Sequence, residues 1–180
     1  MTYAGSSGIL AVIPARFASG RFPGKMIADL AGKPLVVHAY ERAVEATRVA
    51  QAVVATDDVC IAEALRPFDI PVVMTRPDHA CGTDRIAEVA RTARADVIVN
   101  VQGDEPLLEP AAIDAAVEAL LADDGANVAT VRTRITDAAD VTNPNVVKVV
   151  CDGAGRALYF SRSPIPYVRD AGGVSLEAGC

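Results

Sequence analysis

The sequence contains no tryptophan, and aromatic residues make up only 4% of its 180 positions. The core is therefore predicted to be built from Ala, Val, Ile and Leu, the residues of strands buried on both faces. Long apolar runs are missing as well. The run at 97–101 is far too short to cross a bilayer. Residues 1–8 carry neither a basic region nor an extended apolar stretch, so no signal peptide is expected. A cytoplasmic chain without a membrane partner is the resulting expectation. Four cysteines (Cys60, Cys81, Cys151, Cys180) show no C-x-x-C spacing, which points away from zinc and from a disulfide framework. Cys60 and Cys151 stand in apolar-leaning contexts and are expected to be small buried residues. An excess of positive charge is also absent. At a formal −6 the chain lacks the basic face of a nucleic-acid binder, although a few local cations would still hold a nucleotide.

What is present is 51% hydrophobic residues, enough for one core, and residues 1–180 are read as a single domain. Strand and helix patterns alternate. Strands are predicted at 9–14, 52–56, 71–75, 97–101 and 128–132, and a hairpin at 146–151 and 157–161, joined through Asp152-Gly153-Ala154-Gly155. Helices are predicted at 34–47, 59–66, 83–94 and 110–121, with Pro34 and Pro110 suited to a first turn. Such alternation predicts an α/β fold with a mostly parallel sheet between helices. Ligands bind at the carboxyl ends of the strands of such sheets. That rule sends three loops to one rim: 15–25, Asp57-Asp58 and 102–106.

The first loop places Arg16, Arg21 and Lys25 among small residues and glycines. Gly20 and Gly24 would let backbone N–H groups approach a polyanion that the cations hold. Neither the Walker pattern nor the dinucleotide fingerprint is present. The loop after the fourth strand reads Gln102-Gly103-Asp104-Glu105-Pro106. A carboxylate at a strand end, across the rim from a cationic loop, suits Mg²⁺, which takes one or two protein carboxylates and completes its shell with phosphate and water. Asp104 is the better candidate for that ligand. Asp57-Asp58 is read mainly as a cap for the following helix. His38 is expected as a satisfied core histidine, and His79 as a turn or surface residue.

Together these motifs resemble the cytidylyltransferases that activate 3-deoxy sugar acids, and above all their 3-deoxy-manno-octulosonate (Kdo) branch. The resemblance rests on Ile13-Pro14-Ala15-Arg16 with Ser19, Arg21 and Pro23-Gly24-Lys25, then Gly32-Lys33-Pro34 and Ala55-Thr56-Asp57-Asp58. It continues through Met74-Thr75-Arg76, Gly82-Thr83-Asp84-Arg85, 99–106, Asn143-Pro144-Asn145-Val146-Val147-Lys148, and Tyr159-Phe160-Ser161-Arg162 with Ile165-Pro166. These motifs run in order over nearly the whole chain. The resemblance implies a three-layer nucleotide-diphospho-sugar transferase-like fold. It also implies transfer of CMP from CTP to Kdo, with release of pyrophosphate, as a step toward lipopolysaccharide. On the same pattern Ala15, Arg16, Ser19, Arg21 and Lys25 would hold the nucleotide, and Arg85 and Gln102 would line its pocket. Gln102, Ser161 and Arg162 would meet the sugar acid, and Asp104 would hold Mg²⁺. Arg16, Lys25 and Asp104 would be the catalytic set.

The family's usual homodimer is a further implication, as are later elements beyond residue 180: a His-x-Gly-x-Tyr-like strand and a second metal-binding Asp. By that pattern the chain is expected to be shortened at its C-terminus. Branches acting on sialic acid or on an 8-amino analogue of Kdo are the neighbouring readings. The sialic-acid branch usually has Gly-Ser-Lys where this chain has Ala18-Ser19-Gly20. A shortened form that binds CTP without turnover is the reading outside catalysis.

Overall fold

The computed structural model describes residues 8–17 and 22–165. Two compact units emerge, Met1–Ala129 and Thr130–Cys180. In the first, four parallel strands form one sheet: β1 (Ile9–Ala15), β4 (Gln51–Thr56), β5 (Val72–Met74) and β6 (Val97–Asn100), in the order β5-β4-β1-β6. The short pair β2 (Asp29–Leu30) and β3 (Lys33–Pro34) forms a separate antiparallel ribbon.

Alternation along β1 and β4 makes the sheet a middle layer. Ala11, Ile13, Ala15, Ala52 and Val54 point to one face, where they meet residues of α1 (Leu35–Glu45), α2 (Val59–Leu65) and α4 (Pro110–Leu121). Leu10, Val12, Val53 and Ala55 point to the other and meet Ile86 and Val89 of α3 (Gly82–Thr92). Both faces are buried, which is why these strands read as unbroken apolar runs. Side-chain oxygens start two of the helices: Asp58 accepts from the Cys60 N–H at 2.7 Å at the start of α2, and Asp84 accepts from Cys81 N–H at 3.3 Å at the start of α3.

The chain winds outward from β1 through β4 to β5, then returns to place β6 on the opposite side of β1. The reversal makes the carboxyl ends of β1 and β6 the topological switch point, where a crevice forms between diverging connections. Pro14 sharpens it. The β1–β6 ladder runs from Ile9↔Val97 to Val12↔Asn100, closed by the Val101 N–H to Val12 carbonyl bond at 3.1 Å. The next donor on that side would be Pro14, which has no N–H, so the ladder stops and the chain after β6 is free to turn over the rim.

α4 is fastened to the α1–β4 turn by one carboxylate. Asp114 accepts from Thr47 N–H (3.0 Å), Thr47 Oγ1 (2.9 Å) and Arg48 N–H (2.8 Å). Burial alone would raise its pKa, but these donors outweigh burial and hold the carboxyl below its usual range. Its stabilising effect is thus present above the unfolded-state pKa and is lost as pH falls through the lower folded value. Asp114→Ala is expected to cost about 1 kcal/mol at neutral pH. The deficit should shrink on acidification, as read by urea unfolding across pH. A deficit independent of pH would show that the carboxylate's charge is not what fastens α4.

In the second unit Asp137 caps α5 (Ala138–Thr142), accepting the Ala139 N–H at 2.9 Å. β7 (Lys148–Cys151) and β8 (Ala157–Ser161) form the predicted antiparallel hairpin, with an irregularity after Val150. Asp152 builds its turn by accepting from the N–H groups of Ala154 and Arg156, both at 2.9 Å.

Several expectations need correction. Residues 128–132 pair with no described strand, and Val128 is exposed. β-branched residues favour a strand only where a neighbouring edge accepts their backbone groups. Cys60 is exposed and Cys151 half-buried, since Cys60 falls in the first, outward-facing turn of α2. The His79 ring is nearly buried rather than on the surface, and its Nε2 bonds to Glu88. That bond is the main reason the Glu88 carboxyl lies below its usual range, against the opposing effect of burial. His38 is half-buried and not in the core, but its ring is satisfied as expected, donating to the Leu30 carbonyl at 2.8 Å.

Candidate functional site at the switch point

Two loops meet at the crevice. From the β1 side, Gly24 adopts a left-handed backbone (φ 72°) that a side chain would strain, and its N–H closes a turn onto the Phe17 carbonyl at 2.8 Å. A single 3-10 turn, Lys25–Ile27, follows. From the β6 side, Gly103 is buried against β1. A Cβ there would stand 3.1 Å from Met26 Sδ and 3.2 Å from Ile13 Cγ2. This close seat brings the next residue to the first loop. Lys25 Nζ donates to Asp104 Oδ2 at 2.6 Å, with both side chains a little over one third exposed.

Gly103→Val is expected to push the loop off β1 and part this pair. Affinity for a polyphosphate anion, measured by calorimetry, should fall about 10- to 100-fold, as misplacement of a positioned group commonly costs. Unchanged affinity in a folded variant would mean that the close seat is not needed.

Arg16 lies directly after β1, half-buried, with its Nη2 buried and without a hydrogen-bond partner among the described residues. An unmatched buried guanidinium donor is costly unless an acceptor arrives, as an anion would supply. Gln102 is exposed at the rim, its amide donating to Asn100 Oδ1 at 2.9 Å. Ala15 is fully buried as the last residue of β1. Ser19 and Arg21 lie outside the described residues.

Further along the rim the Asp57-Asp58 doublet divides its work. Asp58 caps α2, as expected, whereas Asp57 Oδ1 receives Arg85 Nη2 at 2.8 Å. Arg85 is almost wholly buried (1% exposed) and also bonds Thr75, while its Nε has no partner among the described residues. Its guanidinium thus joins the ends of β4 and β5 to α3. In the second unit, Ser161 Oγ donates to the Ser163 carbonyl at 2.9 Å and Arg162 Nη1 to the Pro144 carbonyl at 2.7 Å.

The sequence reading missed Gly103 as a contact point, Pro14 as the end of a ladder and Asp57 as the partner of Arg85. Only the last had a signal, since the second of two adjacent aspartates is enough for a cap.

Chemically the crevice offers an ammonium, a carboxylate and a guanidinium at the switch point of a parallel sheet, the components of a polyphosphate site. The matches to known proteins agree. Residues 10–174 fit the model of the Cytidylyltransferase family. The 3-deoxy-manno-octulosonate cytidylyltransferases of Trichlorobacter lovleyi and Geobacter sulfurreducens are 54% and 57% identical over 90% of this chain. The chain spans 64% and 65% of the lengths of those two relatives. CMP:2-keto-3-deoxy-manno-octonic acid synthetase, solved with CTP, superposes with a TM-score of 0.83 at 41% identity, over 92% of this chain and 68% of that one. With its three-layer α/β architecture, its switch-point crevice and a family match over most of its length, this chain belongs to the cytidylyltransferase family.

Proposed function

We propose that this chain carries the nucleotide-handling part of an enzyme that transfers CMP from CTP to 3-deoxy-D-manno-octulosonate, releasing pyrophosphate. The observation that carries the reading is the Lys25–Asp104 pair at 2.6 Å across the switch point. A half-exposed pair of this kind adds little to stability, so its worth lies in what it can rearrange around. When triphosphate enters, Lys25 can turn from Asp104 to the phosphate oxygens, and Arg16 gains an acceptor for its Nη2, which has none among the described residues. Ser19 and Arg21 are assigned to the same phosphates. Gln102 and Arg85 are assigned to the pocket lining, and Ser161 and Arg162 to the sugar acid, whose carboxylate suits a guanidinium fork.

Asp104, released from Lys25, would hold Mg²⁺. A single hard carboxylate fits that ion, which draws the rest of its shell from phosphate and water. When bound, Mg²⁺ would neutralise charge on the phosphates. The residues then act by positioning and electrostatics. The anomeric hydroxyl of the sugar attacks the α-phosphorus in line, its proton passes to a nearby carboxylate or water, the bond to the oxygen bridging to the β-phosphate breaks, and pyrophosphate leaves with that oxygen. Supply of CTP and Mg²⁺ makes the cytoplasm the setting for this reaction, and a homodimer is the assembly proposed by kinship.

The test is pyrophosphate release with CTP, Mg²⁺ and each of three sugar acids: Kdo, its 8-amino analogue and sialic acid. Release with Kdo in clear preference supports the reading. Preference for another acid reassigns the substrate. CTP binding by calorimetry with no release above background for any acid would overturn catalysis by this chain and leave nucleotide binding alone. Asp104→Asn is expected to weaken Mg²⁺-dependent CTP binding about 10-fold, the usual scale for a metal-site carboxylate or its support, while metal-free binding changes little. Equal losses with and without Mg²⁺ would remove Asp104 from the metal.

A further inference from the structure

Lys148, at the start of β7, is 4% exposed, and its ammonium makes three hydrogen bonds, all to backbone carbonyls. The acceptors are Asn143 (2.9 Å), Val146 (2.7 Å) and Arg162 (2.6 Å). Three donors meet three acceptors, so the group is saturated. No carboxylate pairs with it among the described residues. A buried cation without a counter-ion is expensive, and an apolar side chain in β7 would serve the strand equally well. The acceptors explain its retention. Two belong to the turn at 143–146 and the third to the residue just after β8. Arg162 returns the tie, since its Nη1 donates to the Pro144 carbonyl at 2.7 Å in that same turn. The turn and the end of β8 are thus locked together from both sides by two cations, with no anion among the described residues.

We infer that Lys148 is a positioning residue for anion recognition. It fixes the backbone of Arg162, limits the guanidinium to one presentation and adds positive charge beside it. The ligand is an anionic, carboxylate-bearing molecule. Under the reading above, on which this inference rests, it is the sugar acid and not the nucleotide. Preorganisation of the guanidinium lowers the ordering cost of binding.

The experiment measures equilibrium binding of 3-deoxy-D-manno-octulosonate and, separately, of CTP by calorimetry, in the wild-type chain, Lys148→Met and Arg162→Ala. Both variants are expected to weaken sugar-acid binding about 10-fold or more, the scale of losing a charged, ordered partner, with CTP affinity within about twofold of wild type. Loss in Arg162→Ala but not in folded Lys148→Met overturns the positioning role and leaves the sugar assignment intact. Loss in neither overturns the placement of Arg162 at the sugar acid, and this inference with it. Equal loss of CTP and sugar-acid binding in Lys148→Met shows a merely structural lysine. Should Lys148→Met not fold, the wild-type chain decides. A saturated ammonium exchanges slowly and gives an observable N–H correlation in nitrogen NMR, which the sugar acid should shift and CTP should not. Exchange as fast as that of exposed lysines overturns the clamp.

Discussion

Lys25→Ala is expected to reduce turnover by about 10²–10³, the cost of removing one preorganised donor to developing charge, while leaving stability within about 1 kcal/mol of wild type. The contrast follows from geometry. Lys25 Nζ and Asp104 Oδ2 are 2.6 Å apart, but both side chains remain more than one third exposed. In water the pair is screened and contributes little to folding. Under the proposed function the same ammonium would face several negative charges on a triphosphate, and charge interactions strengthen wherever the bound substrate displaces water. Turnover from pyrophosphate release and stability from urea unfolding must therefore separate. Wild-type turnover in folded Lys25→Ala would remove Lys25 from the chemistry. A large stability loss with turnover retained would make the pair a structural tie.

The second large effect falls on folding. Arg85→Ala is expected to cost about 3 kcal/mol or more, because it leaves Asp57 without its cation and a void where a nearly buried guanidinium stood. Asp57 keeps some contact with water, at 24% exposure, which places the loss toward the lower end of the range for broken buried pairs. Replacing both partners by apolar residues, Asp57→Leu with Arg85→Met, should recover part of the loss, since no charge is then left unpaired. Urea midpoints of the two single variants and the double variant measure the coupling. A loss below about 1 kcal/mol in Arg85→Ala would show that the pair is dispensable.

The same two residue pairs show how far the chain could be read before its fold was known. Alternating apolar runs, Pro110 at a first turn and the Asp152–Gly155 segment between a valine-rich run and an aromatic-bearing one are local signals, each tied to backbone geometry over a few residues. They placed the parallel sheet, most of the helices and the hairpin. The rule that loops at strand carboxyl ends share a rim then brought Lys25 and Asp104 to one side of the sheet, although 79 positions separate them in sequence. The residues at 128–132 show the limit of such reading, because strand propensity cannot supply a partner edge.

By itself, then, the sequence determined the α/β class, the rim and the chemical kinds of side chain on it, all of which follow from short-range periodicity and the order of motifs. The three-dimensional fold alone decided that Asp57 belongs to Arg85, that Gly103 must be a glycine to seat Asp104 beside Lys25, and that Lys148 is saturated by three carbonyls. The first two outcomes depend on distances between segments far apart in the chain, and the third on how the β7–β8 hairpin closes over the turn before it. In the first unit such distances are fixed by the packing of the two cores and the end of a ladder at Pro14, which no local pattern encodes.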